Sequence, residues 1–178
     1  MNMDEQLAKE AVAGDEQAFL QILKNYKVNL YKTALSYLRN EHEAIEAVQE
    51  VTYRAYKNLP KLREPAFFKT WLLRIMINYC NDQLKKKKRV VYDDDLLSGH
   101  GVEERYRDVE MDEALQLLDE RSREIITLKY FHGLKIREIA AVFDCPEGTV
   151  KTWLHKALKL LREQLEEKGG EDHGREIG

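Results

Sequence analysis

The chain has few cysteines and no long apolar run. It contains two cysteines, Cys80 and Cys145, and neither has the C-x-x-C partner of a structural zinc site. Lone thiols also argue against a disulfide framework and favour a reducing compartment, so we expect a cytoplasmic protein. No apolar run approaches the roughly 18 residues of a membrane span. The opening MNMDEQLAKE is too polar and acidic for a signal peptide.

The sequence also lacks the residue patterns of an active site. It has no cluster of metal-ligating side chains, no glycine-rich phosphate loop and no nucleophile paired with a base. We therefore expect no enzymatic activity, no cofactor and no metal. The composition, with 43% hydrophobic and 34% charged residues, is typical of a soluble, helix-rich protein.

The most informative segment, residues 136–161, has the pattern of a helix-turn-helix. Its first half carries an i, i+3, i+4, i+7 apolar stripe: Ile136, Ile139, Ala140 and Phe143. Pro146 and Gly148 then interrupt the helix, since proline cannot sit inside one and glycine permits a tight bend. A second helix is expected from about Thr149.

The expected second helix has two different faces. Its apolar face is Val150, Leu154, Ala157, Leu158 and Leu161, and its polar face is Thr152, His155, Lys156 and Lys159, with Lys151 on the flank. A polar, basic outer face on the second helix is the geometry that places a helix in the DNA major groove. An ordinary helical hairpin with a solvated lysine face has the same pattern.

Charge and periodicity divide the chain. Residues 90–110 hold seven acidic and two basic residues, a net charge of −5, and lose the helical pattern. Residues 1–89 are helix-patterned with a net charge of +5, which offers basic surface for phosphates, and residues 111–165 form a second helical unit. The tail, 166–178, is expected to be disordered. The predicted fold is all-α: two small helical domains joined by a flexible acidic linker.

Two helices are predicted early in the first unit. The helix over residues 15–38 is mostly core-forming, and the helix over residues 41–58 is expected to bury Ala44, Ile45, Val48, Thr52 and Ala55. The helix over residues 41–58 exposes a stripe that runs from acidic to aromatic to basic: Glu43, Glu46, Glu50, Tyr53, Arg54 and Lys57. Such a stripe is usually just solvated, but it also fits a protein docking face.

A third helix is expected over about residues 67–88. It is apolar on two sides, which indicates packing on two sides. One apolar side consists of Phe68, Trp71, Leu72, Ile75 and Tyr79, and the other of Leu73, Ile77, Cys80 and Leu84. Between the two sides runs a narrow polar stripe: Thr70, Arg74, Asn78 and Asn81. The five consecutive bases of residues 85–89 favour a clamp on a phosphate backbone over a solvated patch. The loop of residues 58–66 has two prolines, which stiffen it and let it project against a ligand.

Two segments resemble one protein family. AIEAVQEVTYRAYKNLPKLREPAFFKTWLLRIMINYCNDQLKKKKR resembles region two of bacterial extracytoplasmic-function sigma factors, and LDERSREIITLKYFHGLKIREIAAVFDCPEGTVKTWLHKALKLLREQL resembles their region four. There is no sign of the middle domain or long inserts of primary sigma factors. The resemblance implies an alternative sigma factor that binds core RNA polymerase and directs promoter recognition, DNA melting and transcription initiation.

The resemblance implies a role for each surface. The helix over 41–58 resembles the one that docks on the clamp helices of polymerase, through Glu43, Glu46, Gln49, Glu50, Tyr53 and Arg54. The loop and helix after it look like the −10 reader, which captures a flipped base: Leu62, Arg63, Ala66, Phe67, Thr70, Arg74, Asn78, Asn81, Lys85 and Lys86. The second helix of the helix-turn-helix looks like the −35 reader, through Thr149, Lys151, Thr152, His155, Lys156 and Lys159. Asn78 stands at a pocket-lining position, where an amide can both donate and accept along a base edge.

The sequence departs from the family pattern at three positions. Glu46 stands where the family frequently has Asp, and Ala47 stands where it frequently has a larger aliphatic residue. Trp153 stands where Arg or another polar residue is common. The promoter sequence therefore does not follow from the resemblance. Trp153 is expected to flank the apolar seam, partly packed. The resemblance also implies promoter DNA and an anti-sigma factor, which can be membrane-anchored, as partners, with no membrane insertion of the chain itself.

Two other functions remain open on residues alone. A stand-alone helix-turn-helix regulator would use only the second unit and leave the first unexplained. A helical adaptor acting through the Glu43 stripe would leave the basic run and the polar helix face unexplained. The linker favours the sigma factor, because 21 residues reach roughly 70 Å when extended, whereas about 17 base pairs of DNA measure roughly 58 Å.

Overall fold

The computed structural model describes residues 2–93 and 109–173, and the side chains of 2–90 and 111–169. The chain divides into two compact units, Met1–Val102 and Glu103–Gly178. Within the described ranges the secondary structure is helical, with no strand. The predicted fold class, all-α with two helical domains, is confirmed.

Four α-helices and two short 3-10 turns form the first unit. They are α1 (Met3–Val12), α2 (Glu16–Leu38), α3 (Glu41–Asn58), the turns Leu59–Lys61 and Pro65–Phe67, and α4 (Phe68–Asp93). The first three helices each begin after a capping side chain. The backbone N–H of Glu43, for example, donates to Oδ1 of Asn40 at 3.0 Å, and that of Gln17 to Oδ1 of Asp15 at 2.9 Å. Such caps satisfy N–H groups that have no partner within the helix.

The core of the first unit lies between α2, α3 and α4. Its largest fully buried side chains are Ile22, Leu30, Val51, Leu72, Leu73, Met76 and Ile77. Each contributes about 1.5–3 kcal/mol of hydrophobic free energy relative to exposure. Because α4 buries adjacent pairs of residues, it must be contacted on two sides, as its sequence predicts.

The buried line of α3 was predicted only in part, since Ala44 and Ala55 are buried but Val48 and Thr52 are half-buried. Ile45 is 52% exposed. The buried line of α3 is instead Ala44, Ala47, Val51 and Ala55. Alanines at this line let α3 approach its neighbours closely, and Ile45 lies about 100° further round the helix from Ala44.

The second unit is built from shorter elements. They are α5 (Val109–Gln116), α6 (Glu120–Ile126), a π-turn (Thr127–Phe131), α7 (Ile136–Phe143) and α8 (Glu147–His173). Gly133 follows the π-turn with a φ of +64°, a left-handed conformation that favours glycine. The sequence Phe131-His132-Gly133 itself predicts a helix end at this glycine, and the helical turn ends at Phe131.

The bend of the helix-turn-helix differs in detail from the prediction. The residue in the left-handed region is Asp144, with a φ of 52°, whereas Gly148 lies inside α8. Helix α8 begins at Glu147 rather than near Thr149. Pro146 stands just before it, and the Pro146 carbonyl accepts from the backbone N–H of Thr149 at 3.0 Å. Proline is tolerated there because it interrupts no helical hydrogen bond.

The expected linker and tail are shorter than predicted. Helix α4 includes residues 90–93 and α5 includes 109–110, since lysine and arginine are good helix formers and let α4 continue through the basic run. Residues 94–108 and 174–178 lie outside the described residues.

The tail prediction is wrong for residues 166–173, which belong to α8. Leu165 packs against the cluster formed by Ala114, Leu115, Leu118, Ile126, Ala157 and Leu161. Lys168 forms an ion pair with Glu113 of α5. These contacts support α8 beyond the point where its sequence becomes polar.

Candidate nucleic-acid and protein interfaces

The predicted docking stripe lies along one side of α3. Glu46, Gln49 and Tyr53 are exposed, whereas Glu43, Glu50 and Arg54 are half-buried against neighbouring side chains. Tyr53 is 59% exposed. The stripe therefore combines outward carboxylates with an accessible aromatic ring.

A network between α3 and α4 holds the centre of the docking stripe. Arg54 Nε donates to Glu50 Oε1 at 2.8 Å, and the Arg54 guanidinium lies 5.1 Å from the centroid of the Tyr79 ring. Burial raises the pKa of Tyr79 above its ordinary value, and the Glu50 carboxylate raises it further while Arg54 lowers it. Tyr79, predicted as part of an apolar side, is thus partly an electrostatic partner of the stripe.

The edges of the stripe are also paired. His42 Nδ1 lies 3.6 Å from Glu46 Oε1, and Lys87 Nζ of α4 lies 2.5 Å from Glu43 Oε2. The Lys57 ammonium lies 5.7 Å from the centroid of the Tyr53 ring. The Glu46 side chain is 59% exposed, more than those of Glu50 (42%) and Glu43 (33%).

The polar stripe of α4 is only partly accessible. Asn78 is exposed, and its amide makes no hydrogen bond to another described residue. Arg74 and Asn81 are half-buried. Thr70, at 1% exposure, is buried, so its predicted place in the working surface is wrong.

The basic run after the polar stripe does not face one direction. Lys85, Lys86, Lys87, Lys88 and Arg89 are all exposed and helical. At 100° per residue, Lys85 lies on the face of Asn78 and Asn81, at i+7 and i+4. Lys87 points toward Glu43 of α3. Lys86 lies between the face of Lys85 and the face of Lys87.

The proline loop divides into buried and exposed positions. Leu62 is 9% exposed and belongs to the core, so it is not available to a ligand in this conformation. Arg63 and Ala66 are exposed, and Phe67 is half-buried. A ligand could therefore reach Arg63, Ala66 and part of Phe67, as the sequence predicts.

Helix α8, the second helix of the helix-turn-helix, exposes the polar face that its sequence predicts. Lys151, Thr152, His155, Lys156 and Lys159 are exposed, and Thr149 is half-buried. Val150 and Ala157 are fully buried on the opposite side. The hydroxyl of Thr152 donates to the Gly148 carbonyl at 3.0 Å, which ties it to its own helix.

Trp153 packs beside the seam as predicted. Its ring meets that of Phe143 edge-on, with centroids 5.7 Å apart. The guanidinium of Arg121 lies 4.6 Å from the centroid of each ring. Sequence patterns do not reveal Arg121, because it is contributed by α6, outside the helix-turn-helix.

Asp119 is a second residue that the sequence reasoning missed. It caps α6, accepting from the backbone N–H of Ser122 at 3.0 Å and from the Ser122 hydroxyl at 2.8 Å. Burial raises the pKa of the Asp119 carboxyl, but these hydrogen bonds and the charge of Lys156 outweigh burial and hold that pKa below its ordinary value. The Asp-x-x-Ser pattern at 119–122 is the signal that could have identified the cap.

The described residues contain no group of three His, Cys, Asp or Glu side chains that could hold a metal ion. No described helix is both long and apolar enough to cross a membrane.

Comparison with known proteins assigns both units. The family model for Sigma-70 region 2 matches residues 22–90, and that for Sigma-70, region 4, matches residues 108–161. The RNA polymerase sigma factor SigV of Bacillus subtilis is 36% identical over 146 residues, 80% of this chain and 88% of SigV. The ECF RNA polymerase sigma factor SigW of the same organism is 34% identical over 175 residues, 88% of this chain and 94% of SigW.

Solved structures agree with these relatives. The sigma factor RpoE of Bartonella quintana, in complex with the anti-sigma factor NepR, aligns with a TM-score of 0.63 and 27% identity, covering 83% of this chain and 96% of that one. CnrH, in complex with the cytosolic domain of CnrY, aligns with a TM-score of 0.68 and 25% identity, covering 93% and 98%. With matched regions two and four in this order and relatives above 30% identity along most of its length, the chain belongs to the extracytoplasmic-function sigma factors of the sigma-70 family, which direct RNA polymerase to promoters.

Proposed function

We propose that the two units divide promoter recognition between them. Residues 1–89 bind core polymerase and read the −10 element, and residues 111–165 read the −35 element. The observation that carries this assignment is that each unit exposes a polar face with basic residues, around Asn78 in one and His155 in the other, opposite its buried core. Residues 90–110 connect the two.

The docking stripe of α3 is the surface for core polymerase. Its accessible carboxylates and the ring of Tyr53 suit a partner with basic and apolar side chains. The Glu50–Arg54–Tyr79 network fixes the stripe before binding, which lowers the entropic cost of association.

The accessible part of the α4 stripe captures a base of the −10 element. Asn78 is the main contact, because its amide is exposed and not engaged within the described parts of the chain. The other predicted −10 residues supply backbone and stacking contacts along the same element: Arg63, Ala66, Phe67, Arg74, Asn81, Lys85 and Lys86. Base flipping costs a few kcal/mol, which binding to the displaced strand and to polymerase offsets.

Helix α8 reads the −35 duplex from the major groove. His155 and Thr152 face base edges, while Lys151, Lys156 and Lys159 meet phosphates. Thr149 stands at the start of this face and is half-buried.

The chemistry of transcription belongs to polymerase, and the chain itself is not an enzyme. Because its partner acts on the chromosome, the chain works in the cytoplasm. An anti-sigma factor is a further partner: the solved structure of RpoE that resembles this chain is a complex with the anti-sigma factor NepR.

Site-specific photo-crosslinking tests this assignment directly. A benzophenone amino acid replaces Asn78 or His155 in the full chain, which is then assembled with core polymerase on a promoter. Position 78 should crosslink to the non-template strand at −10, and position 155 to the −35 duplex. Val28, which is 61% exposed on α2 and lies outside the three proposed surfaces, is the control position. Crosslinks from both positions to the same element would contradict the division of labour.

A further inference from the structure

Helix α1 packs against the proline loop of residues 58–66. It contacts both 3-10 turns of that loop, and near its end Ala11 and Val12 line the same cleft as Leu59 and Pro60. Ala8 and Ala11 are buried, and their small side chains let α1 approach its neighbours closely. The match to Sigma-70 region 2 begins at residue 22, so α1 lies outside the matched segment.

Tyr26 of α2 connects α1 to the residue that follows the loop. Its hydroxyl donates to Asp4 Oδ2 of α1 at 2.5 Å. Its ring centroid lies 6.2 Å from that of Phe68, the first residue of α4. Asn25 Nδ2 donates to the other carboxylate oxygen of Asp4 at 3.0 Å from an exposed position. Tyr26 therefore contacts both the helix that covers the loop and the helix that follows it.

The turns of the loop depend on packing from outside. The Leu62 N–H donates to the Leu59 carbonyl, and the Phe67 N–H donates to the Glu64 carbonyl, each at 3.0 Å. Short 3-10 turns have poorer hydrogen-bond geometry than an α-helix, so their own bonds hold them weakly. Leu62 is buried and Arg63 beside it is exposed. A contact that keeps Leu62 inside also keeps Arg63 directed outward.

We propose that Tyr26 is a positioning residue for the −10 reader: through Asp4 it holds α1 against the proline loop, and α1 keeps the loop ready to receive the captured base. This inference rests on the proposed function of the loop and α4 as the −10 reader. The apparent affinity for the base falls with the fraction of chains whose loop is in the receptive conformation. Ordering the loop before DNA arrives removes that loss.

The test compares two single-stranded ligands of the full chain bound to core polymerase. One is a fluorescent non-template oligonucleotide whose −10 element the unmodified protein selected from a randomised library. The other carries an abasic site at the captured base, which is the position where base removal weakens binding most. The ratio of the two affinities measures capture alone. A smaller folded fraction or weaker core binding lowers both affinities alike and leaves the ratio unchanged.

The variants remove the bond between α1 and α2 in separate ways. Tyr26→Phe keeps the ring beside Phe68 and should lower the ratio about two- to tenfold, the factor that one hydrogen bond contributes. Asp4→Ala should have the same effect, and the double variant should have no greater one. Asp4→Asn keeps an acceptor for the hydroxyl and should preserve most of the ratio. Asn25→Ala, the matched control, removes the exposed bond to the same carboxylate and should leave the ratio unchanged.

An unchanged ratio for Tyr26→Phe would overturn the proposal. So would a double variant that shows the product of the two single losses, because Tyr26 and Asp4 would then act separately. Asn78→Ala, measured alongside, separates the two levels. If it too leaves the ratio unchanged, the proposed −10 reader fails as well. If it lowers the ratio and Tyr26→Phe does not, only the role of Tyr26 is lost.

Hydrogen–deuterium exchange observes the loop without DNA. The amides of Leu62 and Phe67 close the two turns, and mass spectrometry follows their exchange in the full chain bound to core polymerase. Exchange should be faster at both amides in Tyr26→Phe and unchanged in Asn25→Ala, while α3 exchanges as in the unmodified protein. Equal exchange of the loop amides in Tyr26→Phe and the unmodified chain would contradict the support of the loop by α1.

Discussion

Glu43 and Lys87 form an ion pair between α3 and α4, with 2.5 Å between Oε2 and Nζ. Glu43 belongs to the docking stripe and Lys87 to the basic run, so the pair joins the surface proposed for polymerase to the one proposed for DNA. Both side chains are partly exposed, and such a pair contributes only about 0–1 kcal/mol to stability. Its main consequence is that Lys87 is already engaged within the first unit.

We therefore expect the lysines of the basic run to differ in their effect on DNA binding. Lys86→Ala should flatten the salt dependence of promoter binding by about one unit of slope, and Lys87→Ala should change it less. Glu43→Gln should release Lys87 and make its substitution as costly as that of Lys86. The measurement is a salt titration of binding by the holoenzyme, and equal slopes for the two alanine variants in the presence of Glu43 would contradict this prediction.

Charge reversal in the docking stripe should weaken binding to core polymerase. Glu46→Lys is the cleaner change, because Glu46 is exposed, whereas Glu50→Lys also removes the partner of Arg54. The double variant should lose more than tenfold in affinity, since like charges at an interface cost several kcal/mol. Glu41→Lys, on the same helix but off the stripe, is the control. Co-elution of a folded double variant with core polymerase at the level of the unmodified chain would remove α3 from the interface.

Asn78→Ala should impair DNA melting more than core binding. Losing one amide contact to the captured base costs roughly 1–3 kcal/mol. Thermal stability should not change, because Asn78 is exposed and makes no hydrogen bond to another described residue. Permanganate footprinting of the bubble measures the effect. Asn25→Ala is the control, since it removes an exposed amide that bonds Asp4 at 3.0 Å in α1. Equal melting by the Asn78 variant and the unmodified chain would assign Asn78 a structural role.

The residues on the recognition face should separate into two classes. His155→Ala should relax preference at one or two positions of the −35 element, because the proposed role of His155 is contact with a base edge. Lys156→Ala should weaken binding to all sequences alike and flatten the salt slope by about one unit. Transcription from a library randomised at −35 distinguishes the classes. A profile and slope like those of the unmodified protein in both variants would show that this face is not the reader.

The stabilisation that the Asp119 cap gives to α6 should be lost at low pH. The pKa of Asp119 is lowered in the folded chain, so the ionised carboxylate stabilises the fold at pH values above its unfolded pKa of about 3.9. That contribution is lost as the pH falls through the folded pKa. Asp119→Ala should cost about 1 kcal/mol at pH 7. The difference in thermal midpoint between the two proteins should narrow below about pH 4, and a constant difference down to pH 3 would contradict the cap.

Periodicity and capping residues were sufficient for most of the fold. The bounds of α3 follow from the Asn40 cap and the spacing of its alanines, and the two-sided packing of α4 follows from its adjacent apolar pairs. Ile45 was predicted to be buried because an apolar side chain at position 45 fits a helical apolar stripe as well as one at position 47 does. Which of Ile45 and Ala47 is buried depends on where the neighbouring helices approach α3. The extension of α8 depends on Leu165 and Lys168 meeting α5, a contact distant in sequence.

The site was predictable where one helix carries it and not where two helices meet. His155 and Lys156 share a face that spacing alone defines. Thr70 has the polarity of a contact residue but is buried, because α4 is covered on that side. Arg121 reaches Trp153 from α6, and such a tertiary contact leaves no periodic signal in the sequence.

One measurement tests the central claim most directly: promoter binding and opening by the full chain with and without core polymerase. A single promoter probe carries both elements, and binding, strand opening and co-elution with core are recorded together. We expect stable, open complexes only when the chain and core are both present, with neither able to open the probe alone. Tight, sequence-specific binding by the chain alone, with no co-elution with core, would contradict the account and identify a stand-alone regulator.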